Sequence, residues 1–248
     1  MSDTILRVRV IGESGAPVLD EDAVVATTKA VRDPGDARVV LISHPGKNFC
    51  LGGDVTQFAG ADEPGRFVFH IAGVLHEAIR ALTGTELPVV AAVQGWAAGA
   101  GMSVACAADI VVAGASTQFR AAYPAIGFTP DGGMSWHLPR IVGRARALDL
   151  LLTNRPMGAE EALAAGLVSK VVPDEDVQDE AAAIAAALAT SATGALGGIK
   201  RLVADGLVGT LDASLDAEQA SISARAETAE GREGVRAFVE RRAPVFGE

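Results

Sequence analysis

Two glycine-rich turns carry the clearest chemical signal in the sequence. Phe49-Cys50-Leu51-Gly52-Gly53-Asp54 follows the apolar run Val39–Ile42, and Gly95-Trp96-Ala97-Ala98-Gly99-Ala100-Gly101 follows Val89–Val93. A strand end that runs into a helix N-terminus presents backbone N–H groups with no internal acceptor. Two such groups aimed at one oxygen would make an oxyanion hole, where removing a single donor typically costs about 10²–10³ in rate. On composition alone, tight turns and close helix packing are the commoner reason for such glycines. Other patterns fail on spacing. Gly99-x-Gly101 lacks the third glycine of a dinucleotide fingerprint, no Walker loop occurs, and Gly101-Met102-Ser103 is followed by Val104-Ala105 rather than completing a nucleophile elbow. His44, His70, His76 and His137 show no HExxH-type spacing, so neither a metal nor a tightly bound cofactor is expected.

The elements that must hold these turns follow from periodicity. Leu6, Val8 and Val10 alternate with Arg7 and Arg9, as in a half-buried strand, and an edge hairpin is expected to open the chain. Helical spacing from Asp20 to Arg32 precedes a buried strand at Val39–Ile42. The unit repeats: a loop from Ser43 to Gly53, a helix from Pro64 to Leu82 and a strand from Val89 to Val93. Gly60, Pro64 and Gly65 suggest that Asp54–Phe69 is a mobile loop that sets pocket size. A helix at Gly99–Ala107, a strand at Ile110–Val112, a glycine-rich loop at Phe128–Gly133, helices at Arg144–Leu152 and Ala159–Ala165 and a strand at Val168–Val172 follow. Beyond Pro173 the pattern is helical throughout: Asp174–Thr190, Gly194–Ala204, Leu211–Ala229 and Arg232–Arg242, each with an Ala-rich amphipathic face.

Composition limits the function classes. With 248 residues, 49% of them hydrophobic and 21% charged, the chain can bury a large core. Only 4% are aromatic against 28 glycines, so that core must be built from Ala, Val and Leu at close separations. A net charge of −10 without a basic stripe argues against a nucleic-acid surface. Cys50 and Cys106 lack metal-ligand spacing and suit a reducing cytoplasm as free thiols. Ala97–Ala115 is apolar enough to mimic a membrane span, but Asp109 inside it would cost about 2.5–3.5 kcal/mol in a bilayer, so a buried helix and strand fit better. The N-terminus, interrupted by Asp3, Arg7 and Arg9, has no signal-peptide run, and the expected location is cytoplasmic.

Taken in order, the motifs resemble the crotonase family of enoyl-CoA hydratases and isomerases. Phe49–Asp54 is similar to that family's first oxyanion segment, and Pro88–Gly95 with Gly99-Ala100-Gly101 to its second. Ile126-Gly127 through Asp131-Gly132-Gly133 is similar to its third active-site loop, and Ala159-Glu160-Glu161-Ala162, Ala165–Val168 and Ala237–Arg242 also match. The resemblance implies an α/β fold: a spiral of β-β-α repeats over residues 1–190 carrying the acyl-CoA site, and a C-terminal helical trimerisation region over 191–248. It implies an acyl-CoA thioester as partner, with coenzyme A part of the substrate rather than a cofactor, and a homotrimer or dimer of trimers. The N–H groups of Gly53 and Ala100 would bind the thioester oxygen as it becomes an enolate. Leu51, Asp54 and Val55 would line the thioester and pantetheine, while Phe238 and Arg241 would close over the nucleotide end. The Gly12–Leu19 segment lacks the family's Asn-Arg-Pro in the loop that meets the nucleotide.

The departures point to the reaction. Hydratases of the family place two glutamates where this chain has Ser103 and Tyr123. A serine without an adjacent histidine is a poor base, and a tyrosine of ordinary pKa about 10 is protonated at neutral pH. Asp131, eight residues after Tyr123, stands where some isomerases and the arylacyl-CoA dehalogenases carry a catalytic aspartate. Unrecognised, it would read as an Asp-Gly turn residue or a helix N-cap. His76, twelve residues before Pro88, matches the spacing of the dehalogenase histidine, and a helix-surface residue is the plainer reading. The expected activity is therefore isomerisation of a 3-enoyl-CoA to the 2-enoyl-CoA, with Asp131 as proton shuttle and Tyr123 shaping the pocket. Hydration, dehalogenation or thioester hydrolysis through Asp131, and acyl-CoA binding without turnover, are the alternatives.

Overall fold

The computed structural model describes residues 4–12 and 16–246. The alternation at Leu6–Val10 gives the strand β1 (Ile5–Val8), but not the expected edge hairpin. The helix α1 (Glu21–Arg32) crosses over to β2 (Val39–Ile42), and a crossover returns the chain in the same direction, so β1 lies parallel to β2 with Ile5 opposite Val39. Near the N-terminus, antiparallel pairing among the described residues is one bridge between Ile11 and Leu19. The centre of the Gly12–Leu19 segment, residues 13–15, lies outside the described residues. Asp20 caps α1, its Oδ1 accepting the Ala23 N–H at 2.9 Å.

The segment expected to be a mobile loop is helical. Asp54 caps α2 (Val55–Gly60), and Pro64 opens α3 (Pro64–Gly84) at the position where a missing N–H costs a helix nothing. Gly95 ends β3 (Val89–Val93), yet the chain re-enters a sheet at once as β4 (Trp96–Ala98) before α4 (Ala100–Cys106). The pattern recurs with β5 (Ile110–Gly114) and β6 (Gln118–Arg120), then α5 (Met134–Val142) and α6 (Arg144–Thr153). Short β7 (Met157–Gly158), α7 (Ala159–Ala164) and β8 (Lys170–Val172) complete the core. β3 and β5 join a five-stranded parallel sheet, β1-β2-β3-β5-β8, and the strands that follow them, β4 and β6, join a three-stranded one, β4-β6-β7, in which β7 runs antiparallel to β6; β8 closes the larger sheet. This is the α/β spiral that the resemblance implies. Strands of two or three residues and a helix interrupted by Pro139 give too little periodicity to be found in advance.

Both faces of the larger sheet are covered. Val40, Ile42, Val89, Ala91 and Val111 point into the core shared with α1, α3 and α4. Their neighbours Val39, Leu41, Val90, Ala92 and Val112 meet Ala181, Ala185 and Ala189 of α8 (Val177–Ala189). Alanines at every fourth position let that helix lie close to the sheet.

α9 (Thr193–Gly206), α10 (Leu211–Ala226) and α11 (Ala229–Glu240) follow. Lys200 fastens α9 to the core, donating to the carbonyls of Leu82 at 3.1 Å and Leu87 at 3.2 Å and pairing with Asp109 at 2.8 Å. The expected helix to Ala229 breaks earlier because Thr228 caps α11, its Oγ1 accepting the Gly231 N–H. α10 lacks the expected amphipathic face, as none of its residues is buried. Ala97–Ala115 runs through β4, α4 and β5, and among the described residues no single helix is long and apolar enough to cross a membrane.

Candidate active site

The two glycine-rich turns are stitched together by their backbones. Cys50 donates its N–H to the Trp96 carbonyl at 3.1 Å and accepts from the Ala98 N–H at 2.8 Å. Gly52, at φ +95°, lies so close to the second turn that a Cβ would fall 3.2 Å from the Ala98 oxygen and 3.5 Å from the Ala100 nitrogen. The N–H groups of Gly53 and Ala100 thus occupy neighbouring turns. Ala100 opens α4, so its N–H lacks a helical acceptor, and neither N–H has a partner among the described residues. A carbonyl oxygen developing negative charge would supply one. Cys50 contributes packing, since burial pushes its thiol up to about 11 and keeps it protonated.

The third segment brings Asp131 to the same helix. Ser103, one turn along α4 and fully buried, donates to the Asp131 carbonyl at 3.0 Å and lies 3.2 Å from the Tyr123 hydroxyl. Tyr123 donates to Asp131 Oδ1 at 2.7 Å. Burial above all, and then the Asp131 charge, holds the Tyr123 hydroxyl well above the usual tyrosine range, so at neutral pH it is a donor and not a base. Gly132, at φ +58°, lets the loop press onto α4, where a Cβ would meet Ser103 Cβ at 2.7 Å and Leu75 Cδ2 at 2.9 Å. The carboxylate of Asp131 caps no helix: Gly133 occupies the N-cap of α5, and Asp131 accepts the Met134 N–H through its main-chain oxygen.

Tyr123 is held from behind. Ala122 before it and Asn154 both have left-handed backbones, at φ 68° and 54°. The buried Asn154 side chain accepts the Ala122 N–H at 2.8 Å, and its carbonyl accepts Arg120 Nε at 2.9 Å. A left-handed Ala has no intrinsic support, so the contact fixes the turn into Tyr123.

Ser103, Tyr123 and Asp131 therefore form one hydrogen-bonded group beside the Gly53 and Ala100 donors. Leu51 and Val55 present exposed apolar side chains on either side of Gly53. Asp54 is engaged in capping: it accepts from the Thr56 N–H and hydroxyl and from Gln57, and these bonds hold its carboxyl below the usual range. His76 is half-buried on α3, and no hydrogen bond ties it to the group. Phe238 on α11 is 85% exposed, so within one chain it closes over nothing, and Arg241 ends that helix in a left-handed turn. Sequence reasoning missed Phe58, Leu75 and Asn154. Phe58 packs on Gly53, where a Cβ would fall 2.5 Å from its Cζ. Four residues separate Phe58 from the Asp54 cap, which could have placed it on α2, whereas nothing in the sequence marks Asn154.

Comparison with known proteins bears on this arrangement. The family model described as enoyl-CoA hydratase/isomerase matches residues 19–248. A Rhodobacter capsulatus protein named "Probable enoyl-CoA hydratase" is 40% identical over 219 residues, covering 87% of this chain and 83% of that one. The 1,2-epoxyphenylacetyl-CoA isomerase of Escherichia coli is 38% identical over 223 residues, covering 88% and 84%. A crystal structure of an enoyl-CoA hydratase from Polaromonas superposes with a TM-score of 0.91 at 32% identity, covering 98% of this chain and 96% of its own.

Proposed function

This chain belongs to the enoyl-CoA hydratase/isomerase family, and on that premise we propose that it moves the double bond of a 3-enoyl-CoA into conjugation with the thioester. The thioester oxygen accepts from the N–H groups of Gly53 and Ala100, which acidifies the protons on C2. Asp131 takes a C2 proton, the electron pair spreads over the dienolate, and the same carboxyl returns a proton at C4, leaving the double bond between C2 and C3. Tyr123 holds one Asp131 oxygen by its hydrogen bond and leaves the other for the substrate. Coenzyme A enters as part of the substrate.

The observation that carries this reading is the 2.7 Å hydrogen bond from a protonated Tyr123 to Asp131, with Ser103 buried beside them. One carboxylate in that group suits a reaction that gives back the proton it takes. In a hydration Asp131 would have to activate water and protonate carbon unaided, since neither Ser103 nor Tyr123 is a base. The name of the Escherichia coli relative, a CoA-thioester isomerase, supports rearrangement as well. The reading includes a homo-oligomer, since Ile199 and Val203 of α9, Leu207 at its C-terminal end, and Leu211 and Ile222 of α10 leave a broad apolar face exposed on the single chain. The test is the ultraviolet absorbance of the conjugated thioester. It should rise when a 3-enoyl-CoA is added, whereas a fall with a 2-enoyl-CoA would mean hydration and overturn the proposal.

A further inference from the structure

The chain has only eight phenylalanines, one tyrosine and two tryptophans. Three of those phenylalanines gather with Phe58 at their centre, packed on Gly53. The rings of Phe58 and Phe67 meet at 6.0 Å and 60°, and those of Phe58 and Phe128 at 6.0 Å and 30°. Phe58 and Phe67 are half-buried and Phe128 is exposed, so the cluster keeps aromatic surface that protein does not cover. Phe58 and Phe67 line a cavity of about 230 Å³ that runs from Gly53 to Leu75. Its lining touches both halves of the proposed chemistry: Gly53 carries one of the proposed oxyanion N–H groups, and Leu75 abuts Gly132 beside Asp131.

The cavity lining includes Asp20, Glu21, Asp22 and Asp54, and among the described residues no lysine or arginine lines it. An acyl group ending in a carboxylate would meet like charge there, as would the phosphates of coenzyme A. The space is also small beside the roughly 300–1,000 Å³ of a site that takes a whole ligand. A long alkyl chain would run out beyond this space, whereas the volume is closer to that of a ring carried within a few atoms of the thioester. Aromatic surfaces favour an aromatic guest, because offset and edge-to-face pairs gain beyond the area they bury.

Resting on the acyl-CoA reading above, we infer that this cavity is a subsite for a short, uncharged acyl group carrying an aromatic ring, with Phe58 as its main contact. The test is calorimetric titration with phenylacetyl-CoA, hexanoyl-CoA and adipyl-CoA, none of which has a double bond to turn over. Phenylacetyl-CoA should bind about tenfold tighter than hexanoyl-CoA, near the upper end of what aromatic pairing supplies. Adipyl-CoA should bind most weakly. Phe58→Leu, which keeps apolar bulk and removes the ring, should erase most of the preference and leave hexanoyl-CoA within about twofold. Phe67→Leu, on α3, serves the same purpose should α2 fail to form without Phe58. Equal binding of the phenyl and hexyl esters, an equal loss of both in the variants, or no binding of any ester would overturn the inference. A ring preference without isomerisation of any 3-enoyl-CoA would instead sink the reaction and leave the subsite standing, and isomerisation without the preference would do the reverse.

Discussion

Replacing Asp131 by asparagine separates its chemistry from its place in the fold. The amide oxygen can still accept from Tyr123, and the Asp131 main-chain oxygen keeps its bonds from Ser103 and Met134. What changes in structure is one charge-assisted hydrogen bond becoming neutral, worth about 1.5–3 kcal/mol against about 0.5–1.5 kcal/mol. The stability loss is then about 1 kcal/mol, or roughly 2–4 °C in melting temperature for a chain of this size. The catalytic loss is far larger. A positioned acid–base group supplies about 10²–10⁴ in rate, equivalent to about 2.7–5.4 kcal/mol of barrier. The oxyanion donors are backbone groups and survive, so KM should change little while kcat falls. Absorbance of the conjugated thioester measures the rate, and a thermal melt on the same preparation measures the fold. Retention of more than about a tenth of wild-type kcat, against the hundredfold minimum expected of such a group, would refute the role of Asp131.

Tyr123 is the only tyrosine in the chain, so the near-ultraviolet tyrosinate band reports it alone. Its hydroxyl is pushed up in the folded state; its contribution to stability is therefore complete below the ordinary value of about 10 and lost as pH climbs beyond it. The band should stay silent in the folded protein past that pH and emerge with alkaline unfolding, and ionisation at the ordinary value without unfolding would contradict the buried pair. Asn154→Ala leaves the Ala122 N–H without its acceptor, at about 1–3 kcal/mol, and forces a left-handed alanine, at about 1 kcal/mol more, whereas Asn154→Gly incurs only the first. Denaturant unfolding should rank wild type above glycine above alanine, and equal losses would show that the backbone conformation is not what Asn154 supplies. Light scattering of the purified protein should give the mass of three or six chains, and a monomer would refute the covering of the exposed face of α9 and α10.

The parts of the fold that could be read in advance are those with enough residues to show a period. Val39–Ile42 and Val89–Val93 coincide with their strands residue for residue because each is a continuous β-branched or small apolar run bounded by turn residues. The second sheet was hidden, since Trp96–Ala98, Gln118–Arg120 and Met157–Gly158 are too short for alternation to show. The meeting of Ser103, Tyr123 and Asp131 was only half legible. Motif order brought all three to one site, but that Tyr123 donates to Asp131, and that Ser103 binds the Asp131 main chain, depends on a loop whose course is set by left-handed residues at Ala122, Gly127, Gly132 and Gly133. Three of those are glycines and could be suspected. Ala122 could not, because its support comes from Asn154, 32 residues away.

The count of proton-handling groups constrains the reaction more tightly than the shape of the site does. Adding water across a double bond moves one proton from water to carbon while the oxygen joins the neighbouring carbon, a transfer commonly divided between a base acting on water and an acid acting on carbon. The group beside the oxyanion donors holds one carboxylate, a serine whose proton lies on a main-chain carbonyl, and a tyrosine whose proton is held by burial and by the neighbouring negative charge. Removing the tyrosine proton would leave two negative charges sharing a hydrogen-bond distance of 2.7 Å in a poorly solvated site, the least favourable state available to the pair. Asp131 is consequently the member to which the proposed reaction assigns the exchanging proton. A single exchanging carboxyl can lift a proton from C2 and set it down at C4, which is all that the proposed double-bond shift asks of it.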